Sequence, residues 1–179
     1  ILTSNNHKTG TDRIFEALQI FDIKNVDLIM NLQGDEPLIN IDDIRSLNNK
    51  MKKNEYQLGT LASKIQDKTI HINQNVVKVI TKEKLTNSNF PDAINFKRKV
   101  LDQDKEIYHH LGIYCYQKET LKDFVSFDQS SNELKNRLEQ LRALDNGIKI
   151  NVALASSSSI GVDTEEDFLA IKKIMEYKS

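Results

Sequence analysis

Amide and acidic side chains occur in Asn31-Leu32-Gln33-Gly34-Asp35-Glu36-Pro37, directly after the short apolar run Leu28-Ile29-Met30. The apolar residues before them predict a buried strand over residues 26–32. Ligands bind at the carboxyl ends of strands in open α/β sheets, and Asp35 offers oxygen ligands for Mg²⁺ beside phosphates. Gly, Asp and Pro also form ordinary surface turns, so the motif alone leaves both interpretations open.

A second carboxylate lies in Gly161-Val162-Asp163-Thr164-Glu165-Glu166-Asp167, directly before a predicted helix. Asp163 can simply cap that helix, with Glu166 as its capping-box partner. Its position also allows another role, because two carboxylates on separate strand ends could hold Mg²⁺ between them.

Three further motifs combine polar groups with predicted elements. Tyr108-His109-His110 leads into a predicted strand, where adjacent side chains point to opposite faces of the sheet. The two histidines therefore cannot both bind one zinc ion. Two roles stay open, a hydrogen bond from one histidine in a pocket and a half-buried structural histidine. In Leu138-Glu139-Gln140-Leu141-Arg142 the leucines are predicted core residues, and Glu139 with Arg142 could be a solvated ion pair. In His7-Lys8-Thr9-Gly10-Thr11-Asp12-Arg13, a helix start with hydroxyls and an arginine favours an anion or a nucleotide, without Walker A spacing.

Alternating apolar runs and helical periods predict an α/β protein with a mainly parallel sheet flanked by helices. Capping boxes are predicted at Thr9/Asp12 and at Ser130/Glu133, and the second begins one helix that ends at Asn146-Gly147. The predicted helices cover residues 9–22, 41–53, 118–124, 130–146 and 164–177. Helical spacing predicts burial of the following apolar residues: Ile14, Ala17, Leu18 and Phe21; Leu134, Leu138, Leu141 and Leu144; and Phe168, Ile171 and Met175. The predicted strands cover residues 26–32, 58–63, 76–80, 93–96, 111–116 and 149–155.

Composition limits the class of protein. The 179 residues suit a single domain over 1–179, and a net charge of -1 gives no electrostatic case for nucleic acid or an anionic membrane. No apolar run approaches the ~20 residues of a spanning helix. The single cysteine, Cys115, fits a reducing cytoplasm. The chain opens at Ile1 in what resembles the end of a strand, which suggests a fragment.

Taken in order, six motifs resemble one family. They are His7-x-Thr-Gly-Thr-Asp-Arg, Asn31-x-Gln-Gly-Asp-Glu-Pro, Asn75-x-Val-Lys-Val, His110-Leu-Gly-Ile-Tyr, Leu138-Glu-Gln-Leu-Arg and Gly161-Val-Asp-Thr-x-x-Asp. In this order the chain resembles the 3-deoxy-manno-octulosonate cytidylyltransferases, from Ile1 to the last helix.

The resemblance implies a Rossmann-like nucleotidyltransferase fold, a homodimer, and transfer of CMP from CTP to 3-deoxy-D-manno-octulosonate (Kdo) for lipopolysaccharide biosynthesis. Asp35 and Asp163 would be the catalytic residues and would bind Mg²⁺. By the same resemblance, Thr9, Gly10, Thr11 and Arg13 would lie on the nucleotide side. The sugar would contact Gln33, Arg98, His110, Tyr114, Glu139 and Gln140.

Three departures from the family pattern define the alternatives. A first strand and a phosphate loop common in the family are missing from the sequence. The stretch Ala93-Ile94-Asn95-Phe96-Lys97-Arg98 lacks the Ile-Pro that usually follows, although Arg98 could meet the sugar carboxylate because a planar fork suits that group. Asn136 replaces a common Glu. The alternatives are an enzyme for 8-amino-Kdo or another keto-acid sugar, and an inactive fragment that only dimerises or binds ligand weakly.

Overall fold

Six strands form one sheet in a computed structural model, which describes residues 1–53, 56–101, 104–156, 161–162 and 164–176. The strands are β1 (Leu28–Asn31), β2 (Leu58–Lys64), β3 (Lys78–Thr81), β4 (Ala93–Lys97), β5 (Ile107–Gln117) and β6 (Ile150–Leu154). The helices are α1 (Gly10–Phe21), α2 (Ile41–Lys53), α3 (Lys118–Ser126), α4 (Ser131–Asn136), α5 (Gln140–Asp145) and α6 (Glu165–Glu176), and Lys68–His71 form a 3₁₀ turn.

The long strand β5 organises the sheet. It pairs with β2 along one edge, and the sheet then continues to β6. The other edge is shared, since β3 pairs with residues 107–109 and β1 pairs with residues 114–117. Residues 111–113 therefore lie between the ends of β3 and β1, and this interval borders the cleft described below.

The predicted class, an α/β sheet flanked by helices, is confirmed, but the sheet is mixed and not mainly parallel as predicted. β1, β2, β3 and β6 run in one direction, whereas β4 and β5 run in the other. β5 pairs antiparallel with β1, β2 and β3, and β3 pairs antiparallel with β4. The β2–β6 pairing is therefore the one parallel pairing among the described strands.

Alternating residues of β5 supply two cores, one on each face of the sheet. Tyr114 and Tyr116 pack on the face covered by α3 and α5, against Phe124 and Leu141. Leu111, Ile113 and Cys115 pack on the opposite face with α2, through Leu47 and Met51. Helices thus cover both faces, and only the strand ends and edges remain open to ligands.

Capping residues and a glycine in the sequence predicted several helix boundaries correctly. Thr9 and Asp12 form the predicted capping box of α1, and Ser130 and Glu133 form that of α4. Gly147, which follows the C-cap residue Asn146 of α5, has φ of +78°, a left-handed conformation that favours glycine. At α6 Thr164 and Asp167 form a capping box, and Asp163, the predicted cap, lies outside the described residues.

The single helix predicted over residues 130–146 is wrong. The chain leaves helical geometry at Arg137, which has φ of +53°, and α4 and α5 are separate helices. Leu134, expected in the core stripe, is 59% exposed as a result.

Three apolar segments are less buried than predicted. Residues 28–30 are half-buried, because β1 pairs with β5 alone among the described strands. Phe21 on α1 is exposed, and so are Phe168 and Met175 on α6, where Ile171 is the buried residue.

Helices able to cross a membrane are not found among the described residues, since none combines the necessary length with sufficient apolar character.

Candidate active site

One cleft of about 1240 Å³ opens beside residues 111–113 of β5, and all six sequence motifs contribute residues to its lining. Its walls are the start of α1, the segment after β1, the loop before β3, the α4–α5 junction and the start of α6. Elements distant in sequence therefore meet at a single concave surface, as expected for a small-molecule site.

The amino end of α1 forms one wall. Thr9, Gly10 and Arg13 line the cleft, together with Lys8. The positive end of the helix dipole and two cationic side chains make this wall suitable for phosphate, although the N–H groups of Thr11 and Asp12 already donate to Glu139 Oε2 and Thr9 Oγ1. The Arg13 guanidinium also donates hydrogen bonds to Thr3 Oγ1 (2.6 Å) and to the Ser4 carbonyl (3.1 Å).

Thr11, expected on the nucleotide side, is not in the cleft lining. Its side chain is fully buried, and its hydroxyl shares a 3.0 Å hydrogen bond with the Tyr116 hydroxyl. This bond joins α1 to β5, so the structure gives Thr11 a packing role.

The segment after β1 brings Gln33 and Asp35 to the cleft. Gln33 rests directly on Gly112, where an added Cβ would lie 2.8 Å from Gln33 Oε1. The glycine of the His110-Leu-Gly-Ile-Tyr motif is thus the residue that leaves room for the glutamine of another motif. Such a contact between distant residues has no signal in the sequence.

Asp35 is exposed at the mouth of the cleft, beside the chain that leads into α6. The Val162 backbone N–H donates a 2.8 Å hydrogen bond to the Asp35 carbonyl. Asp163, the second expected Mg²⁺ ligand, lies outside the described residues. The segment that immediately precedes it is nevertheless held against Asp35.

The described residues contain no group of three His, Cys, Asp or Glu side chains that could hold a metal ion. Mg²⁺ is commonly bound by one or two carboxylates, with the remaining ligands supplied by substrate phosphates and water. An exposed carboxylate in the same cleft as the phosphate-suited end of α1 is compatible with that arrangement and not with a closed all-protein metal site.

His110 and Tyr114 lie on β5 and line the cleft as buried, uncharged groups. Burial lowers the pKa of His110 to about 3, and its Nε2 shares a 2.9 Å hydrogen bond with Thr60 Oγ1. Burial, reinforced by the nearby Glu139 carboxylate, holds the pKa of Tyr114 well above its usual value. Both side chains are therefore neutral near pH 7 and can interact with a ligand only as neutral groups.

Glu139 and Gln140 enter the cleft because the helix breaks before them. Glu139 Oε2 accepts a hydrogen bond from the Thr11 backbone N–H at 3.3 Å, whereas Oε1 is enclosed without a partner among the described residues. Burial raises the pKa of the Glu139 carboxyl. An enclosed acceptor on a cleft wall is suited to a hydroxyl group of a ligand.

The predicted solvated ion pair of Glu139 with Arg142 is not what the structure contains. Arg142 is 1% exposed and donates to both carboxylate oxygens of Glu133, at 2.8 and 2.7 Å. A third bond, of 3.3 Å, reaches Asp12 Oδ1 in the cap of α1. This buried network ties α1, α4 and α5 together, and residues at the ends of these helices line the cleft.

Arg98 lines the cleft, but its guanidinium is already engaged with backbone carbonyls of Gln74, Asn136 and Arg137, at 3.0 to 3.1 Å. The prediction that it meets a sugar carboxylate has no support in these contacts. Lys8 and Arg137 are lining cations that the sequence did not single out. Lys8 lies inside the first motif, whereas Arg137 reaches the cleft through the helix break, which the sequence did not reveal.

The fold itself is shared with an apo UDP-glucose pyrophosphorylase, at a TM-score of 0.68 and 9% identity over 99% of this chain and 63% of that one. This likeness concerns the fold alone. The mixed sheet covered by helices, with a cleft at its strand ends, is a Rossmann-like fold.

Closer similarities identify the family. The cytidylyltransferase family model matches residues 1–150. A 3-deoxy-manno-octulosonate cytidylyltransferase of Thermodesulfovibrio yellowstonii is 38% identical over 98% of this chain and 72% of its own length. A CMP:2-keto-3-deoxy-manno-octonic acid synthetase solved in complex with CTP superimposes with a TM-score of 0.86, at 29% identity over 100% of this chain and 73% of that chain. The chain belongs to the 3-deoxy-manno-octulosonate cytidylyltransferase family.

Proposed function

We propose that this chain transfers CMP from CTP to the anomeric hydroxyl of Kdo, giving CMP-Kdo and pyrophosphate. The observation that carries the proposal is the convergence of all six motifs on one cleft, in a chain similar to its relatives over 98% of its length. A CTP complex of a structural neighbour supports the nucleotide substrate.

The proposed reaction is a substitution at phosphorus. The anomeric oxygen forms a bond to the α-phosphorus of CTP, the bond from that phosphorus to the bridging oxygen breaks, and pyrophosphate leaves while the hydroxyl proton is lost. No covalent enzyme intermediate is required, so the protein contributes through positioning and electrostatic stabilisation.

Different groups that line the cleft suit the two substrates. Lys8, Arg13 and the amino end of α1 would face the phosphates of CTP. Gln33, His110, Tyr114, Glu139 and Gln140 would surround Kdo, which presents several hydroxyl groups. Neutral side chains and an enclosed carboxyl oxygen favour a polyhydroxylated ligand there.

Mg²⁺ is part of the proposal, with Asp35 and Asp163 as its protein ligands. When bound, the ion would neutralise charge on the transferred and leaving phosphates. The exposure of Asp35 and the position of residues 161–162 against it support this assignment.

Three broader features complete the proposal: a homodimer, a cytoplasmic location and a role in lipopolysaccharide biosynthesis. They rest on the family resemblance. The comparisons favour Kdo over 8-amino-Kdo or another keto-acid sugar, because the relatives carry the Kdo name. They also favour an enzyme over a fragment that only dimerises or binds ligand weakly.

Release of pyrophosphate tests the proposal directly. The full-length product of the reading frame is assayed with CTP, Kdo and Mg²⁺, and with 8-amino-Kdo in a parallel reaction. Release that depends on both CTP and Kdo is expected. Release with 8-amino-Kdo alone would move the assignment to that sugar, and no release above background with either sugar would refute the proposed activity.

A further inference from the structure

Lys78 on β3 is a fully buried lysine whose ammonium donates, within the described part of the chain, to backbone carbonyls alone. Its side chain is 0% exposed, and Nζ donates to the carbonyls of Asn73 (2.5 Å), Val76 (2.7 Å) and Arg98 (2.6 Å). No carboxylate forms an ion pair with it among the described residues. Burial lowers its pKa to about 8, with a smaller effect from the Arg98 guanidinium. Such a residue is costly to the fold, so its position calls for an explanation.

Arg98 also donates hydrogen bonds to backbone carbonyls, and unlike Lys78 it lines the cleft. Its guanidinium binds the Gln74 carbonyl in the loop before β3 and the carbonyls of Asn136 and Arg137 at the α4–α5 junction. The backbone carbonyl of Arg98 is itself held by Lys78. A chain of cation–carbonyl bonds therefore links Lys78, Arg98 and two separate loops.

Both loops are walls of the cleft. Residues 73 and 75–77 of the first loop and residues 137–140 of the second loop line it. The second loop contains the left-handed Arg137 and delivers Glu139 and Gln140. Lys78 is absent from the described lining, so any effect it has on substrate must pass through these loops.

We propose that Lys78 and Arg98 act as one unit that fixes the two walls of the sugar side, with Lys78 a positioning residue for Kdo binding. This inference rests on the proposed function and assigns a role to the Asn75-x-Val-Lys-Val motif. It differs from direct recognition of the sugar carboxylate by Arg98, in which Lys78 would be only a structural residue.

A double-mutant cycle distinguishes the two roles. Lys78→Met, Arg98→Met and the double variant are compared with the wild-type enzyme by KM for Kdo, KM for CTP and kcat. Each single variant should raise KM for Kdo about tenfold or more, because a displaced wall misplaces the sugar. KM for CTP should stay within about twofold, and the double variant should resemble the worse single variant, because the residues form one unit.

Lys97→Met is the matched control. Lys97 lies opposite Lys78 in the β3–β4 ladder and pairs with Asp104 at 3.1 Å, and it is not among the residues that line the cleft. This variant should leave both KM values unchanged. Single-variant effects that multiply in the double variant, an equal rise in both KM values, or no rise for Kdo would each overturn the proposal.

Arg98→Lys addresses the possibility that the methionine variants fold poorly. Lysine keeps the positive charge but lacks the planar guanidinium, whose several N–H donors bond carbonyls of both loops. KM for Kdo should therefore still rise, while Tm stays near the wild-type value. A normal KM for Kdo in this variant would contradict the clamp, since a single charge would then suffice.

Hydrogen exchange provides a readout that does not depend on turnover. Lys78→Met should accelerate amide exchange in residues 73–77 and also in residues 136–139, which Lys78 reaches only through Arg98. Unchanged exchange in residues 136–139 would overturn the proposal even if the enzyme is active. An inactive wild-type enzyme would instead refute the proposed function, and the exchange measurement would still test the clamp.

Discussion

Asp35 is an exposed carboxylate, and its proposed task is chemical and not structural. We predict that Asp35→Asn abolishes Mg²⁺-dependent pyrophosphate release, because the amide keeps the shape but loses the charge that attracts the ion. The free energy of unfolding should change by no more than about 0.5 kcal/mol, as is usual for exposed positions. Turnover is measured over a Mg²⁺ titration, and stability by urea denaturation.

Asp27→Asn is the control for this change, because Asp27 is an exposed aspartate just before the same strand, β1, and away from the cleft. It should keep normal turnover. Normal turnover in Asp35→Asn as well would make Asp35 a turn residue, the alternative that the sequence left open.

Gly112 and Gly59 differ in what an added methyl group would meet. At Gly112 a Cβ would lie 2.8 Å from Gln33 Oε1, the end of a flexible side chain on the cleft floor. We predict that Gly112→Ala raises KM for Kdo about tenfold, because Gln33 must move, with little loss of stability. At Gly59 a Cβ would meet Met51 Sδ at 2.7 Å and Phe90 Cζ at 2.8 Å.

Gly59→Ala should therefore show the opposite pattern. Overpacking of the core should cost about 1–3 kcal/mol of unfolding free energy, while KM for Kdo stays unchanged. Thermal unfolding and steady-state kinetics on both variants separate the two effects. If Gly112→Ala lost stability like Gly59→Ala and kept its KM, the contact with Gln33 would have no part in binding.

The sequence could predict which residues carry polar chemistry but not the contacts that set their roles. The Asn31 and His110 motifs were identifiable, yet the contact of Gln33 with Gly112 joins residues far apart in the chain. Arg98 illustrates the same limit. Its type suggested a carboxylate ligand, whereas the carbonyls that it binds come from two loops that only the folded chain brings together.

At the scale of elements, local signals succeeded where the interaction is local. The capping boxes at Thr9 and Ser130 involve residues three apart, so they could be identified directly from the sequence. The break at Arg137 could not, because residues 131–145 keep helix-forming residues and apolar spacing. Bonds from Arg98 to the carbonyls of Asn136 and Arg137 stabilise the broken form, and those bonds are tertiary.

The network of Arg142 holds α1, α4 and α5 together, and it gives a prediction for stability. Arg142→Met leaves the buried Glu133 carboxylate without its bidentate partner and removes the contact of the guanidinium with the Phe124 ring at 4.7 Å. Loss of one partner of a buried pair should cost about 3–5 kcal/mol of unfolding free energy. For a chain of this length, Tm should fall by roughly 10 °C.

A matched pair of variants tests the cause. Arg45→Met breaks an exposed ion pair with Asp42, with both side chains more than 70% exposed, and should change stability by less than about 1 kcal/mol. Adding Glu133→Leu to Arg142→Met should restore part of the loss, because no buried carboxylate is then left unpaired at that position. If the double variant were less stable than Arg142→Met, the unpaired charge would not be responsible, and the loss would come from packing and from the capping-box bond of Glu133 to the Ser130 N–H.

At the scale of the whole molecule, apolar periodicity predicted the α/β class but not the order or direction of the strands. Each apolar run indicates that a strand is present, but it does not indicate which other strand pairs with it. The sequence therefore could not show that β5 pairs antiparallel with three other strands. The same limit explains Phe168 and Met175, whose helical spacing predicted burial although the described chain places little against them.

Two adjacent histidines in the sheet make the stability of the whole molecule sensitive to acid. Burial lowers the pKa of His110 to about 3 and also lowers that of His109, so both resist protonation in the folded state. In the unfolded chain a histidine binds its proton near pH 6.5. The stability that neutral His110 contributes is therefore complete above pH 6.5, and it is lost progressively as the pH falls toward 3.

We predict that the wild-type protein loses on the order of 2 kcal/mol of unfolding free energy between pH 7 and pH 5 through His110 alone. His110→Gln cannot take up this proton, so the loss over the same interval should be smaller by that amount. Urea denaturation of both proteins at several pH values measures the difference, in which the contributions of the other titrating groups cancel. His7→Gln is the control, because His7 pairs with Glu16 near the surface, away from the buried sheet. If the wild type and His110→Gln lost the same free energy over this interval, His110 would not be the neutral, buried group that the cleft requires.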